Sequence, residues 1–319
     1  MPSYSTFSEY LGTLFFRDPE SSLIARPRMI TERDVQVLLA LSHYYVLNRP
    51  QIQRLCFPDD KTGRVTRRRL QTLFSQKLVN RQRVVVDYPH LPPPGSIYYP
   101  AKRGRELIAE YLDDERQLLT PVQPPQPQHV LHWLAVSDTH MTIDAAMSRQ
   151  QPVKIEGWIN EWDIINKDET DPDKRFQLYT LLRHSPRLVC APDFAFLLTL
   201  GSHSKVFYGE QDRATCGVQQ VAARKSPGYA AMASKGLHLR HFPSATVDTF
   251  TVLLIAPTAR RRDALRKAIS EKPGKELWKF IAAPDLTPET FLHAPILYPC
   301  NGDPSPLVKP GSTESVPST

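Results

Sequence analysis

Apolar positions along this chain change period twice. From Thr31 to Leu78 they recur at helical spacing. Val35, Leu38, Leu39 and Ser42 share a face behind Thr31-Glu32-Arg33-Asp34, an opening with the form of a capping box. Asn48-Arg49-Pro50 starts a second, short helix carrying Ile52 and Leu55. Residues 59–63 read as a turn, and a third helix over 64–77 points Leu70, Leu73, Phe74 and Leu78 at a core. The period then shortens. Val84-Val85-Val86 and Ile97-Tyr98-Tyr99 read as strands joined by a Pro-rich tip at 89–95, and residues 101–112 as a closing helix. Three helices, a two-stranded ribbon and a further helix is the order of a winged helix-turn-helix, expected over residues 30–119.

Residues 120–128 hold four prolines in nine positions and no apolar period, which predicts a semi-rigid linker. Beyond it, residues 129–147 read as a helix, with Leu131, Leu134, Ala135, Thr139, Ile143 and Met147 at compatible spacing. Residues 166–174 are a polar loop. Two apolar runs follow, 194–200 and Val206-Phe207-Tyr208, joined by a Gly/Ser/His turn; they predict a largely buried β-hairpin. Residues 216–224 read as a helix that Lys225-Ser226-Pro227-Gly228-Tyr229 interrupts. Residues 249–256 read as a buried strand, and 258–270 as a helix opening with Arg260-Arg261-Arg262. Residues 1–29 read as a loosely attached arm and 301–319, rich in Pro, Ser and Gly, as a disordered tail. The expectation is an α+β chain of two domains, with the second occupying 129–300.

The hairpin carries the candidate chemistry. Asp193 heads its first strand behind Pro192, while Glu210 and Asp212 close its second and, two apart, point to one face. Carboxylates at the ends of buried strands need a partner or a metal. Asp193, Glu210 and Asp212 would together make a hard-oxygen pocket for Mg²⁺ or Mn²⁺. The plainer alternatives are a turn or cap role for Asp193, salt bridges from Glu210 and Asp212 to Arg213 or Arg224, and a surface role for Lys225.

Charge adds a partner. The 319 residues carry a net +7, and the window from Asn48 to Arg83 alone holds ten Lys/Arg against two Asp/Glu. Arg49, Arg64, Arg67, Arg68, Arg69, Arg81 and Arg83 are therefore candidate contacts to double-stranded DNA. Arg260 and Arg261 are either a second backbone contact or a solvated helix face. Four cysteines without metal-ligand spacing point to reduced thiols, and no apolar stretch approaches a membrane span, so a cytoplasmic protein is expected. No His-x-His and no phosphate-binding G-x-x-x-x-G-K-[ST] occurs, which excludes the His-triad relaxases and ATP-driven DNA handling.

Pro192-Asp193 followed by Glu210-x-Asp212-Arg213-x-Thr215 resembles the plasmid replication-relaxation family, including its MobC-type relaxases, and more broadly the PD-(D/E)xK nuclease core. The resemblance implies a winged helix followed by a restriction-endonuclease-like α/β core. It adds Glu161 as an upstream acidic residue, and Lys225 and Tyr229 as matches on a following helix. Asp212 stands where the nuclease lysine should, with Lys225 the candidate to compensate from the neighbouring helix. Gly209 stands where an apolar residue is expected. The implied catalytic set is Glu161, Asp193, Glu210, Asp212 and Lys225. The implied activity is metal-dependent nicking at a transfer or replication origin, and the implied partners are duplex DNA, other mobilisation or replication proteins, and a second copy of the chain. The alternative is a non-catalytic accessory factor or repressor on a degenerate nuclease fold.

Overall fold

A computed structural model describes residues 30–84, 95–148 and 153–309. They form a mixed α+β fold in two compact units, one ending at His140 and the other beginning at Met141. The expected arm at 1–29 and the Val85-Val86 part of the expected strand lie outside the described residues.

The first unit begins with α1 (Glu32–Tyr44). Thr31 and Asp34 cap each other: the Thr31 amide donates to Asp34 Oδ2 at 2.8 Å, and the Asp34 amide to Thr31 Oγ1 at 3.3 Å. Residues 37–41 are all buried, a wider face than the one-sided stripe expected, because other elements of the unit pack around this helix. Strand β1 (Leu47–Asn48) leads into α2 (Arg49–Cys56), where Asn48 and Gln51 repeat the reciprocal cap with Pro50 in the first turn. A turn at Gly63, φ 66°, sets up α3 (Arg64–Ser75), with Asp60 Oδ2 accepting from the Thr66 amide at 2.7 Å.

Strands β2 (Val79–Arg83) and β3 (Ser96–Pro100) pair antiparallel, and β1 joins β3 on its other side. The first ribbon strand therefore starts at Val79, ahead of the valine run that suggested it. Past Val79 its residues carry no apolar pattern: half-buried Asn80 and Gln82 alternate with exposed Arg81 and Arg83. Helix α4 (Lys102–Leu112) closes the unit on α1. Gly104 is required there, since a Cβ on it would lie 2.0 Å from the Leu78 carbonyl oxygen.

The Pro-rich stretch is tied to the first unit. Tyr45 donates to the Gln123 carbonyl at 2.9 Å and Arg105 to the Thr120 carbonyl at 2.9 Å. The division between units falls after it, within α5 (Pro127–Met147).

The second unit is a six-stranded mixed sheet in the order β11-β10-β9-β8-β7-β4, formed by β4 (Lys154–Asn160), β7 (Phe194–Leu200), β8 (His203–Gln211), β9 (Thr251–Ala256), β10 (Trp278–Ala282) and β11 (Tyr298–Pro299). β7 and β8 are the expected hairpin. β8, β9 and β10 run parallel and are joined through α7 (Val218–Ser234) and α9 (Ala259–Ile269), as parallel neighbours require. All six residues of β9 are buried, as its apolar run predicts for a parallel strand covered on both faces. One sheet face carries the core, where Tyr208, Tyr229, Phe250, Trp278 and Phe280 meet. On the other face Trp158 stacks on Phe194 and Phe196, and Phe196 on Phe207. A separate pair, β5 (Thr180–Arg183) and β6 (Leu188–Cys190), packs against α7, and two short helices, α6 (Pro172–Arg175) and α8 (His238–His241), respectively precede β5 and follow α7.

Two expectations are corrected here. α7 runs unbroken through Pro227 and Gly228. Gly228 lies against β6, where a Cβ would sit 2.7 Å from the Val189 carbonyl oxygen, so the helix keeps its line because a close tertiary contact needs it. The segment expected to be disordered is folded as far as it is described. Ser305 pairs with Leu297 through two hydrogen bonds of 3.0 and 3.1 Å, and Val308 is buried.

Candidate active site

β7, β8 and α7 bring the site together. Phe194 and Gly209 are register partners, which places Asp193 and Glu210 at the neighbouring ends of adjacent strands. Gly209 allows this pairing: a Cβ there would lie 2.0–2.3 Å from the Phe194 ring, so the position expected to be apolar must be glycine. Asp193 is anchored by its own backbone, whose amide donates to the Gly209 carbonyl at 3.1 Å. Its Oδ2 accepts the Gln211 amide at 2.6 Å. The Glu161 amide donates to the Asp193 carbonyl at 3.0 Å, and a carboxylate oxygen of each residue lies within 4.8 Å of the other.

Glu210 points at α7. Lys225 and Tyr229 are four apart, so they share a helix face. Lys225 Nζ lies 2.6 Å from Glu210 Oε2 and donates to the Ala191 carbonyl at 3.3 Å, while Tyr229 donates its hydroxyl hydrogen to Glu210 Oε1 at 2.6 Å. Asp193 and Glu210 are 8% and 5% exposed and Tyr229 1%, whereas the Lys225 side chain, at 36%, still reaches solvent.

These contacts set the electrostatics. Burial pushes the Glu210 carboxyl up to about 7, and Asp193 adds to this, while Lys225 and Tyr229 pull it back. Burial works against the Lys225 ammonium, but the facing carboxylates of Glu210 and Asp193 outweigh it and raise its pKa. Burial also raises the Tyr229 hydroxyl, reinforced by Glu210. Among the described residues, carboxylate oxygens of Asp193 and Glu161 lie close enough to share a cation, while both oxygens of the nearby Glu210 are engaged by Lys225 and Tyr229. Hard oxygen donors of this kind suit a divalent Mg²⁺ or Mn²⁺.

The remaining candidates fall elsewhere. Asp212 is held by Arg261 through a fork of 2.8 and 3.0 Å, with the same guanidinium donating to the Cys216 carbonyl at 2.7 Å. Asp212 and Arg261 thus clamp the exit of β8 to the start of α9, while Arg260 is exposed. In the first unit, Arg69 forks onto the buried Asp34. Arg49, Arg64, Arg67, Arg68, Arg81 and Arg83 are exposed. Asp34 and Arg261 as ion-pair partners, and Tyr229 as the second hand on Glu210, left no local signal in the sequence, since each partner lies 19 to 49 positions away.

The family model described as replication-relaxation matches residues 38–244, a span that reaches into both units and takes in Glu161, Asp193, Glu210 and Lys225. This chain belongs to the replication-relaxation family. Membership suggests a role in plasmid replication or relaxation. No curated protein and no solved structure matches the chain. Among the described residues, no helix is long and apolar enough to cross a membrane.

Proposed function

We propose that this member of the family is a metal-dependent DNA-nicking protein acting at a transfer or replication origin of a plasmid or integrative element. Its first unit serves as a winged helix on duplex DNA, and its second as a PD-(D/E)xK-like core. The observation that carries the reading is the meeting of Lys225 with Glu210 beside Asp193 and Glu161. A lysine from α7 takes the place of the one that Asp212 replaces in the strand. Asp193, Glu161 and Glu210 would hold the ion. A divalent cation bound there supplies polarisation of the scissile phosphate and a water of lowered pKa.

The chain's own groups do the rest. The Lys225 ammonium lies beside the carboxylates with part of its side chain open, suited to offset charge developing on a phosphate oxygen. Tyr229 fixes the Glu210 carboxylate from the opposite oxygen. Buried and already donating, Tyr229 is a positioning residue, so the reading is hydrolytic nicking without a tyrosyl adduct. Asp212 is structural through Arg261. That pairing also favours the second reading, a non-catalytic accessory factor, because it withdraws one carboxylate of the family signature from the site.

The two readings separate in one assay. Supercoiled plasmid bearing the element's origin is incubated with the full chain and Mg²⁺ or Mn²⁺. Nicked circles should form, and Asp193→Asn and Lys225→Met should each reduce their rate by about 10²–10³-fold while duplex binding persists. Equal nicking by the variants would overturn the assignment. Duplex binding without nicking in the unaltered chain would establish the accessory factor.

A further inference from the structure

A groove of about 710 Å³ runs between the first turn of α2, the exposed face of α3 and the β2–β3 ribbon. Arg49 lines it from α2, Arg67, Arg68 and Gln71 from α3, and Arg81 with Tyr98 from the ribbon. Its lining contains no carboxylate.

Some of the chain's arginines are neutralised by nearby carboxylates: Arg54, Arg69, Arg261 and Arg262 are each paired with an aspartate. Among the described residues the four in the groove are exposed and carry no ion pair. Two are held in place by neutral contacts. Arg81 lies over the Phe74 ring at 4.7 Å and donates to Gln71 Oε1 at 3.1 Å, and Arg67 Nε donates to the Gly63 carbonyl at 3.2 Å. Four guanidiniums facing one concavity repel each other, and a polyanion relieves that repulsion.

We propose that this groove is a backbone channel for duplex DNA, in which Arg49, Arg67, Arg68 and Arg81 neutralise phosphates and leave the base edges unread. The inference rests on the reading of the first unit as a DNA-binding module and specifies how it binds. Reading adenine calls for an amide with both functions free and reading cytosine for a carboxylate, whereas an arginine fork can read guanine, whose edge offers only acceptors. The groove has no carboxylate, and Arg81 occupies the carbonyl oxygen of its one amide, Gln71. Four guanidiniums from three elements dominate the lining beside Ser96 and Tyr98, a set suited to a row of phosphate oxygens, with a guanine edge as the alternative that the test separates.

The test uses the full chain in EDTA, so that cleavage plays no part, and two duplexes of unrelated sequence across a range of salt. Four phosphate contacts predict a contribution of about −3.6 to the slope of log K against log salt, or about 150-fold between 50 and 200 mM. Replacing any one of the four arginines by Ala should make the slope shallower by about 0.9 on both duplexes alike. Arg68→Lys should restore it, because a phosphate needs charge and a guanine edge needs the fork. All four side chains lie at the surface, and unchanged thermal melting of each variant verifies its fold. A slope unmoved by the substitutions, with binding intact, would overturn the groove alone. A loss confined to one duplex, not rescued by Lys, would make the groove a base reader and likewise overturn the proposal. No salt-dependent binding by the unaltered chain would overturn the DNA-binding reading itself.

Discussion

Gly209→Ala tests the geometry on which the acidic site depends. The substitution adds one methyl carbon 2.0–2.3 Å from three atoms of the Phe194 ring, well inside contact distance. Phe194 has no room to yield, being fully buried and stacked on Trp158. Overpacking a well-filled core costs about 1–3 kcal/mol, and loss of the glycine's backbone freedom offsets at most about 1 kcal/mol of that. A net destabilisation of about 1–2 kcal/mol is expected, read as a lower urea midpoint at constant slope. Phe194→Ala alone should cost about 3–5 kcal/mol through the cavity it leaves. The double variant should cost less than the sum of the two by about 1–2 kcal/mol, because the added methyl then enters the vacated space. Since Phe194 and Gly209 adjoin Asp193 and Glu210, the single Gly209→Ala variant should also weaken any Mn²⁺ binding. A Gly209→Ala midpoint equal to that of the unaltered chain, or strict additivity in the double variant, would refute the account of why glycine stands there.

Two further predictions concern stability. Asp34 is fully buried, caps α1 and holds Arg69, so Asp34→Ala should destabilise the first unit by about 3–5 kcal/mol; a change below 1 kcal/mol in its urea transition would show the pair to be dispensable. His241 sits between Thr180 and the Tyr208 hydroxyl, and burial, with Arg240 and His238, pushes its pKa down from 6.5 to about 4. The unfolded chain therefore takes up the proton first. The contribution of this group is whole above about pH 6.5 and is lost as the pH falls toward 4, about 3 kcal/mol in all. His241→Gln should flatten that part of the stability profile, and an unaltered profile in the variant would contradict it.

Much of the architecture was legible because local signals and tertiary packing agree. The Thr31 cap, the β7–β8 runs and the helix after Thr258 formed where their patterns place them. The exceptions have physical causes. β2 is polar because it lies in a small ribbon with alternate positions exposed, so a search for valine runs misses its start. Pro227 and Gly228 read as a break, since proline costs a helix about 3 kcal/mol in isolation. Packing of Ser226, Gly228, Tyr229 and Met232 outweighs that cost. Within the site, chain spacing identified Asp193 and Glu210 as candidates, and the family resemblance added Lys225. Spacing could not tell that Glu210 turns to α7 while Asp212, two residues on, turns to Arg261. That choice is made by helices far along the chain, and it decides which carboxylates remain to share a cation.

The central claim, that Asp193, Glu161 and Glu210 form a divalent-cation site, is tested most directly by calorimetric titration of Mn²⁺ into the full chain beside Asp193→Asn. The account predicts saturable binding that the variant abolishes. It also predicts that affinity climbs as the pH rises through about 7, because Glu210 must give up its proton to serve the ion. Absence of binding, or binding equal in the variant, would contradict it and leave Glu210 as the partner of Lys225 and Tyr229, and Asp193 as that of the Gln211 amide.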